Sequence, residues 1–445
     1  MKADFGEALE IRRQEILDRC TQCGDCFDIC PMTGPAGLKE RDPSTVTKSV
    51  IDILKGLPGS PDAQRWAQVC SGSGKCIPAC PENVNPRFML SLARLDIQQR
   101  AGAEECHAKG GIAFSSMSRG VRVLSKIQLP TAVLERFHAE PRAEAPDLVF
   151  YTGCNVLKTP HIALLCLDIL DALEVSYEVM GGPRDCCGVL QFRTGDTAIS
   201  GRIAYRTTDR FAATGTRKVL SWCPTCQVQL GENVLPGRMM EGATAPDYSL
   251  ESFVTYLADN LDRLRPLLLH RVEKRVALHE HPGVAGVTEA AMRILGAIPG
   301  LDLVDLEQPS VGWMCNTLQP LPLYKRDLHR SLLEASAAAQ VTTLAGVYHA
   351  CHRELCSHEE EWPFEVVNFL ELVGESMGVH RVDHFKRLKT MQDVDAILAD
   401  VIDLVEEHGL KLEEVRSVIL RDLLGEQPLP LKNLSDNLQP RKKII

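Results

Sequence analysis

The stretch that decides the fold of the N-terminal part of the chain is residues 20–31, CTQCGDCFDICP. Its four cysteines follow the pattern C-x2-C-x2-C-x3-C-P, in which the two-residue gaps let three thiolates of one tight loop converge on one iron–sulfur cubane. The fourth cysteine of this pattern, Cys30, lies on the following helix and points toward a neighbouring cluster. The pattern therefore predicts a second cysteine group elsewhere in the chain.

The second group is residues 70–81, CSGSGKCIPACP, in which Ser73 occupies the position of one cysteine. With the crossed ligands of two-cluster ferredoxins, one 4Fe-4S cluster is predicted on Cys20, Cys23, Cys26 and Cys80. The other site is then formed by Cys30, Cys70, Cys76 and Ser73. Because this site has only three thiolates, three alternatives are open. It could hold a 3Fe-4S cluster, a 4Fe-4S cluster completed by Ser73 or water, or no cluster. A zinc-binding module also permits the two-residue gaps.

A third group has the spacing C-x31-C-C-x35-C-x2-C and comprises Cys154, Cys186, Cys187, Cys223 and Cys226. Each follows a predicted strand, so separate loops can bring five thiolates to one end of a sheet. The adjacent pair alone is also typical of a strained vicinal pair or of two core thiols. The words YTGC, DCCG and WCPTC resemble the CCG domain of heterodisulfide reductase catalytic subunits and of glycolate oxidase and anaerobic glycerol-3-phosphate dehydrogenase iron–sulfur subunits. The resemblance implies a 4Fe-4S cluster, of non-cubane type in heterodisulfide reductases, at these five positions.

The pattern of apolar residues predicts an α+β multidomain chain. Residues 1–105 are expected to form a helical ferredoxin-like domain, and residues 106–145 a connector with some helix. Short apolar strands then alternate with amphipathic helices over residues 146–270, and the series recurs over residues 271–380. This repetition indicates a duplication into two pseudo-symmetric α/β CCG lobes. Residues 381–445 are expected to form a helical tail.

The second lobe lacks most of the cysteines of the first. Its counterpart of DCCG is residues 313–316, WMCN, and its counterpart of WCPTC is residues 347–351, VYHAC. Histidines crowd the vacated positions, so a mononuclear zinc or iron site is one hypothesis, with Cys315, Cys351, His281 and His352 as its ligands. The alternative is a degenerate lobe that serves only as a packing partner.

Composition restricts the class of function. A net charge of −10 argues against nucleic acid as the main partner. The charged first residues do not resemble a secretory signal, and the apolar stretch 161–175 is too short to cross a bilayer. A cytoplasmic protein is therefore expected, without a transmembrane segment of its own, reaching the inner face of a membrane only through a partner.

The family resemblance implies an electron-transfer subunit of an oxidoreductase complex. A flavoprotein dehydrogenase that contains FAD would be one partner, and a downstream acceptor, such as one linked to a membrane or to quinone, would be the other. Because no glycine-rich dinucleotide motif follows a predicted strand, the flavin is expected in another subunit. One alternative is a heterodisulfide reductase-like catalytic subunit that reduces a disulfide at the CCG cluster, and another is a scaffold stabilised by zinc.

Overall fold

The computed structural model describes residues 4–137, 144–240 and 247–425. The part before the first strand is helical. Its helices are α1 (Phe5–Arg19), α2 (Asp25–Asp28), α3 (Pro43–Leu54), α4 (Pro61–Val69), α5 (Pro86–Gln99), α6 (Ala103–Lys126) and α7 (Thr131–Leu134).

Three of these helices begin with the same local signal. Asp42, Ser60 and Asn85 each accept a hydrogen bond from the first turn of α3, α4 and α5, and a proline follows each of them. The side-chain cap satisfies a free backbone N–H, and proline at the first helical position is already in a helical conformation. The helices pack around buried side chains such as Trp66 and Leu92, so the loops that carry the cysteines are anchored at both ends.

Helix α6 takes up most of the segment that was expected to be a connector with some helix. It runs for 24 residues, and its buried face includes Val121, Val123 and Leu124. Close packing at Gly120 leaves no room for a Cβ, because the Asp422 carboxylate lies against it. Residues 138–143 of the expected connector lie outside the described residues.

Two four-stranded parallel sheets follow, and they confirm the predicted combination of a helical part with α/β parts. The first sheet contains β1 (Leu148–Tyr151), β2 (Tyr177–Met180), β3 (Lys218–Ser221) and β4 (Ser249–Ser252), in the order β2-β1-β3-β4. The second contains β5 (Arg275–His279), β6 (Asp302–Val304), β7 (Thr343–Gly346) and β8 (Glu365–Asn368), in the order β6-β5-β7-β8. The two sheets therefore have the same strand order. In the first, Val149 of β1 pairs with Glu178 on one side and with Val219 on the other.

Helices connect these strands and cover the sheets. In the first half they are α8 (Pro160–Ala172), α9 (Val189–Thr194), α10 (Thr197–Ala213), α11 (Pro224–Val228), α12 (Leu235–Met240), α13 (Phe253–Asp259) and α14 (Leu261–Leu264). In the second half they are α15 (Val287–Leu295), α16 (Pro322–Ala338), α17 (His349–Leu355) and α18 (Phe369–Met377). Single turns of 3-10 or π helix lie at Glu135–Phe137, Asn155–Lys158, Pro183–Asp185, Gln229–Val234, Arg265–Leu267, Cys315–Leu318, Cys356–Glu360 and Ile419–Leu423.

The C-terminal segment is helical as far as it is described. It contains α19 (His384–Thr390), α20 (Val394–Asp400), α21 (Ile402–Glu407) and α22 (Leu412–Val418). These helices share a hydrophobic core with Val123, Leu124 and Ile127 at the end of α6. The tail therefore packs on the helix that leads into the first sheet. Residues 426–445 of the expected tail lie outside the described residues, and within the described ones no helix is long and apolar enough to cross a membrane.

Candidate functional site

The first cysteine group and the end of the second come together in the helical part. One cavity of ≈ 20 Å³ is lined by the four residues predicted for the first cluster, Cys20, Cys23, Cys26 and Cys80. The turn that carries three of them is tight, because Gly24 has a φ of 96° and a Cβ there would collide with the backbone of Pro43. Burial raises the pKa of the Cys26 thiol to about 12, so this thiol is protonated at neutral pH unless a cation binds next to it.

The remaining predicted residues line a neighbouring cavity of ≈ 10 Å³. Its wall includes Cys30, Cys70, Ser73 and Cys76. Ser73 is 8 % exposed and lies in the same loop as the cysteines, between two glycines with positive φ. The Trp66 indole N–H donates to Cys30 Sγ over 3.4 Å. The structure thus brings together each of the two ligand sets that the crossed pattern predicts.

The five cysteines of the third group meet at the carboxyl edge of the first sheet. They follow β1, β2 and β3, and the exposed fraction of each side chain is between 2 % and 6 %. Gly153 has a φ of 70°, and a Cβ there would lie 2.9 Å from the Cβ of Cys223 and 3.1 Å from Sγ of Cys226. A glycine before Cys154 is therefore needed for these loops to approach one another.

The thiols of this group lie close enough to one another to share hydrogen bonds. Hydrogen bonding to Cys186 and burial raise the pKa of Cys154, while the hydrogen bonds that Cys186 receives from Cys154 and Cys187 lower the pKa of Cys186. Adjacent buried thiolates repel one another unless a cation lies among them. A set of thiolates around a metal group is the ligand chemistry of iron–sulfur clusters, so the residues fit such a group.

A side chain that the sequence patterns did not single out, Trp313, joins two of these sites. Its ring lies against Gly72, in the loop between Cys70 and Cys76, where it leaves no room for a Cβ. Its indole Nε1 donates to Thr225 Oγ1 over 3.0 Å, and Thr225 lies between Cys223 and Cys226. In the sequence, Trp313 was only the first residue of the degenerate word WMCN, which gave no signal for this role.

A cavity of ≈ 230 Å³ lies beside Trp313, between the helical part and the first sheet. Arg94 and Arg193 lie in its wall together with Thr225 and Gln229. Arg193 belongs to α9, which begins directly after the Cys186–Cys187 pair. The cavity therefore lies next to the loops that carry the five cysteines, none of which lines it, and Arg193 in its wall lies close to Cys187 and Cys223.

The second sheet gathers four metal-binding side chains at its carboxyl edge, namely His279, His281, Cys315 and Cys351. The predicted ligand His352 lies outside this set, since its Nε2 is 2.6 Å from Asp383 Oδ2. The reason is helical geometry: successive residues of α17 point about 100° apart, so Cys351 and His352 face different neighbours. His279, which the sequence placed among the crowded histidines, takes the fourth position.

Comparison with known protein families defines the class of the molecule. Residues 17–85 match a family described as a 4Fe-4S dicluster domain, and residues 148–231 match the CCG family, described as a cysteine-rich domain. The first range contains both cysteine groups of the helical part, and the second contains all five cysteines at the edge of the first sheet. The molecule is an iron–sulfur protein that joins a dicluster domain to a CCG domain.

Individual relatives place it further. It is 21 % identical over 399 residues to one subunit of the dihydromethanophenazine:CoB–CoM heterodisulfide reductase of Methanosarcina mazei, and the match covers 82 % of this chain and 94 % of the relative. It is 24 % identical over 307 residues to one subunit of the fumarate reductase (CoM/CoB) of Methanothermobacter marburgensis, covering 66 % of this chain and 57 % of that one. A probable iron-sulfur-binding oxidoreductase, FadF of Bacillus subtilis, is 21 % identical over 370 residues, which are 70 % of this chain and 52 % of FadF. The chain is thus an iron–sulfur protein homologous to a heterodisulfide reductase subunit, and its role is electron transfer.

Proposed function

We propose that this chain relays electrons between a flavoprotein dehydrogenase subunit that contains FAD and a downstream acceptor. When bound, iron–sulfur clusters supply one-electron carriers. Three groups of residues would hold them: Cys20, Cys23, Cys26 and Cys80; Cys30, Cys70 and Cys76 with Ser73; and Cys154, Cys186, Cys187, Cys223 and Cys226. The first would hold a 4Fe-4S cluster, the second a 3Fe-4S or 4Fe-4S cluster, and the third a CCG-type 4Fe-4S cluster.

The observation that carries this proposal is the position of Trp313. Its ring contacts Gly72, in the loop of the second ferredoxin-type group. Its indole N–H donates a hydrogen bond to Thr225, which lies between two cysteines of the CCG group in the sequence. The neighbouring Arg87 stiffens the same junction, since its Nη1 donates to Gly72 O over 2.8 Å and to Gly283 O over 2.6 Å. A fixed, short route between two cluster-binding sites is what an electron relay requires.

The domain arrangement that accompanies this proposal follows the predicted boundaries. We assign residues 1–105 to a ferredoxin-like domain, residues 146–270 and 271–380 to two CCG lobes related by duplication, and residues 381–445 to a tail. Identical strand order in the two sheets supports the duplication. The names of the relatives describe subunits of reductases, which supports a multisubunit complex. A flavin in another chain and an acceptor at the inner face of a membrane complete the proposal.

Electron paramagnetic resonance and metal analysis of anaerobically purified protein test the relay. Ligand counting predicts about eleven to twelve irons per chain, with signals that appear and disappear on reduction and reoxidation without any disulfide present. Purification of the complex from its native cells should bring along a flavoprotein whose substrate reduces these clusters. Zinc in place of iron throughout, with no reducible signal, would refute the proposal.

A second function, reduction of a disulfide at the CCG site, is favoured by the cavity next to it. The cavity of ≈ 230 Å³ lies next to the loops that carry the CCG cysteines and has Arg94 and Arg193 in its wall. Cationic side chains there suit a disulfide that carries anionic groups. The two functions separate in one assay: a reductase turns over such a disulfide with a one-electron donor, and a relay does not.

A substitution in the cavity wall sharpens that assay. Arg193→Gln should raise KM for an anionic disulfide with little effect on iron content if the cavity binds substrate. The matched control is Arg271→Gln, at an exposed position shortly before β5, where Arg271 pairs only locally with Glu273. Equal behaviour of both variants would leave the relay as the better account.

A further inference from the structure

Four donor side chains converge at the carboxyl edge of the second sheet. His279 ends β5, His281 follows two residues later, Cys315 begins the turn that follows β6, and Cys351 lies in α17 after β7. One donor atom of each lies within 4.8 Å of the donor atoms of all the others. The exposed fraction of His281 is 4 %, and both cysteines are completely buried.

The positions of these donors correspond to those in the first sheet. There, cysteines follow β1, β2 and β3, and here the donors follow β5, β6 and β7, which occupy the same places in the strand order. The edge that carries a five-cysteine group in one half therefore carries two thiols and two imidazoles in the other. Donor number and donor type both differ, so the group that they bind must differ as well.

The spacing of the donor atoms suits a single ion, and one of the two nitrogen–sulfur distances equals that of tetrahedral zinc while the other is shorter. His279 Nε2 lies 3.1 Å from Cys315 Sγ, and His281 Nε2 lies 3.6 Å from the same sulfur. A tetrahedral zinc ion with Zn–N bonds of about 2.1 Å and Zn–S bonds of about 2.3 Å places its nitrogen and sulfur ligands about 3.6 Å apart. In a two-iron cluster, the two imidazoles bind one iron and the two thiolates bind the other. The nitrogen and sulfur ligands would then be further apart than two ligands of a single tetrahedral ion.

The surroundings orient the donors as they do in metal sites. His281 Nδ1 is 2.6 Å from the Val311 carbonyl oxygen, so it carries the proton and leaves Nε2 free to bind a metal. His329 Nε2 is 3.3 Å from Cys315 Sγ and can donate a hydrogen bond to this sulfur. Two thiolates neutralise a divalent cation, which makes the completed site compatible with the burial of His281, Cys315 and Cys351.

We propose that His279, His281, Cys315 and Cys351 bind one zinc ion as a closed structural site. The ion ties together the loops after β5, β6 and β7. It also fixes the short segment between Val311 and Cys315, which carries Trp313 to the junction of the cluster-binding sites. Zinc has no redox chemistry, so the electron route ends at the first sheet and the second sheet supports it mechanically.

Metal analysis of the wild-type protein is the direct test and uses no variant. Protein purified anaerobically from iron-sufficient cells should contain about one zinc per chain in addition to its iron. X-ray absorption at the zinc edge should show two sulfur ligands at about 2.3 Å and two nitrogen ligands at about 2.1 Å. Iron-replete protein without zinc, a shell of sulfur alone, or mononuclear iron at this site would each overturn the proposal.

Variants locate the ion. Cys351→Ala and His281→Ala should lose the zinc and keep the iron and visible absorption of the cluster-binding sites. Two matched controls should keep both metals: His352→Gln, next to Cys351 on the same helix, and Cys166→Ala, in the buried face of α8. Full zinc content in Cys351→Ala would refute the site. If that variant does not fold, the number of sulfur and nitrogen ligands around zinc in the wild-type protein decides whether the site exists. Zinc and iron are counted separately, so a failure of the relay proposal would not affect the zinc proposal.

Discussion

At the scale of single residues, Cys187 tests the five-cysteine site. It is 2 % exposed and lies between Cys186 and Cys226 in the group, with which it shares hydrogen bonds. Cys187→Ala should remove about four irons and one paramagnetic signal while the ferredoxin-type signals remain. Cys166→Ala, a buried cysteine outside the three groups, should leave iron content and spectra unchanged. Unaltered spectra in Cys187→Ala would contradict the assignment.

Ser73 determines what the second ferredoxin-type site can hold. It lines the same cavity as Cys30, Cys70 and Cys76, and the glycines beside it give its loop the freedom to present a side chain inward. Ser73→Cys supplies the missing thiolate, so we expect conversion of a 3Fe-4S signal to a 4Fe-4S signal and a gain of about one iron. Lys75→Cys, two residues later in the same loop at an exposed position outside the cavity wall, is the control. The same iron stoichiometry in Ser73→Cys and wild type would argue against a three-iron site.

Residue spacing predicted which cysteines of each group lie close together, for a definite reason. Two- and three-residue gaps between cysteines act locally, and the local loop geometry decides which thiols converge. His352 shows the limit of this reasoning: it was chosen because histidines crowd the vacated cysteine positions, but it lies on a different side of α17 from Cys351 and faces Asp383. Trp313 and Arg193 could not be found this way at all, because both act across contacts between segments far apart in the chain.

At the scale of secondary structure, the alternation of strands and helices was predicted wherever apolar runs were strong. Strands β1, β2, β3, β5, β6 and β7 lie in the apolar runs of this alternation, whereas β4 and β8 lie in segments with a weaker pattern. Their sequences, SLES at 249–252 and EVVN at 365–368, are short and partly polar. Each is an edge strand that pairs with only one neighbour, so pairing with β3 or β7 stabilises a segment whose own pattern is weak.

A buried histidine links α8 to the C-terminal elements and gives a pH prediction. His161 Nδ1 is 3.4 Å from Asp383 Oδ1, and its Nε2 is 3.7 Å from Glu371 Oε1, with His352 and Lys386 also nearby. Burial lowers the pKa of His161, but the two carboxylates outweigh burial and raise it above 6.5. A group whose pKa is higher in the folded state stabilises the folded protein fully at pH values below its pKa in the unfolded state. This stabilisation is lost as the pH rises through its pKa in the folded state.

The expected result is therefore a loss of thermal stability above a pH of about 6.5 that depends on His161. Each unit by which folding raises the pKa corresponds to about 1.4 kcal/mol. Melting curves of the anaerobic protein between pH 6 and pH 9 should show this decline for wild type, and His161→Gln should reduce it. The exposed His380 provides the control, since His380→Gln removes an imidazole without touching the buried pair. Identical pH dependence of His161→Gln and wild type would exclude the linkage.

At the scale of the whole molecule, the dicluster part, the two sheets and the tail contact one another close to the cysteine groups and at the end of α6. The dicluster part meets the first sheet through Arg87, which pairs with Glu232, and meets the second sheet's loops through Trp313. Helix α6 and the tail form a separate core, and the ion pair of Lys158 and Asp422, at 3.6 Å, ties the tail to the first half. Composition and periodicity predicted the parts but not these joints, since the joints depend on side chains that meet only after each part has folded.

Trp313 gives the prediction that belongs to this scale. Trp313→Leu removes the aromatic contact between the Gly72 loop and Thr225, so reduction of the CCG signal should lag further behind reduction of the ferredoxin-type signals in rapid freeze-quench resonance spectra. Because the ring is nearly buried, a loss of about 2–4 kcal/mol in stability is also expected. Trp313→Phe keeps most of the ring and loses only the hydrogen bond to Thr225, so its delay should be smaller.

Trp362→Leu separates a loss of stability from a loss of coupling, because Trp362 stacks on Phe364 in the second half, away from the cluster-binding cysteines. It should lower the melting temperature without slowing reduction of the CCG signal. If Trp313→Leu keeps its full iron content and reduces the CCG signal as fast as Trp362→Leu does, electrons take another route. The CCG site would then be reduced directly by the partner or the substrate, as the large cavity beside it allows, and the reductase function would become the better explanation of this fold.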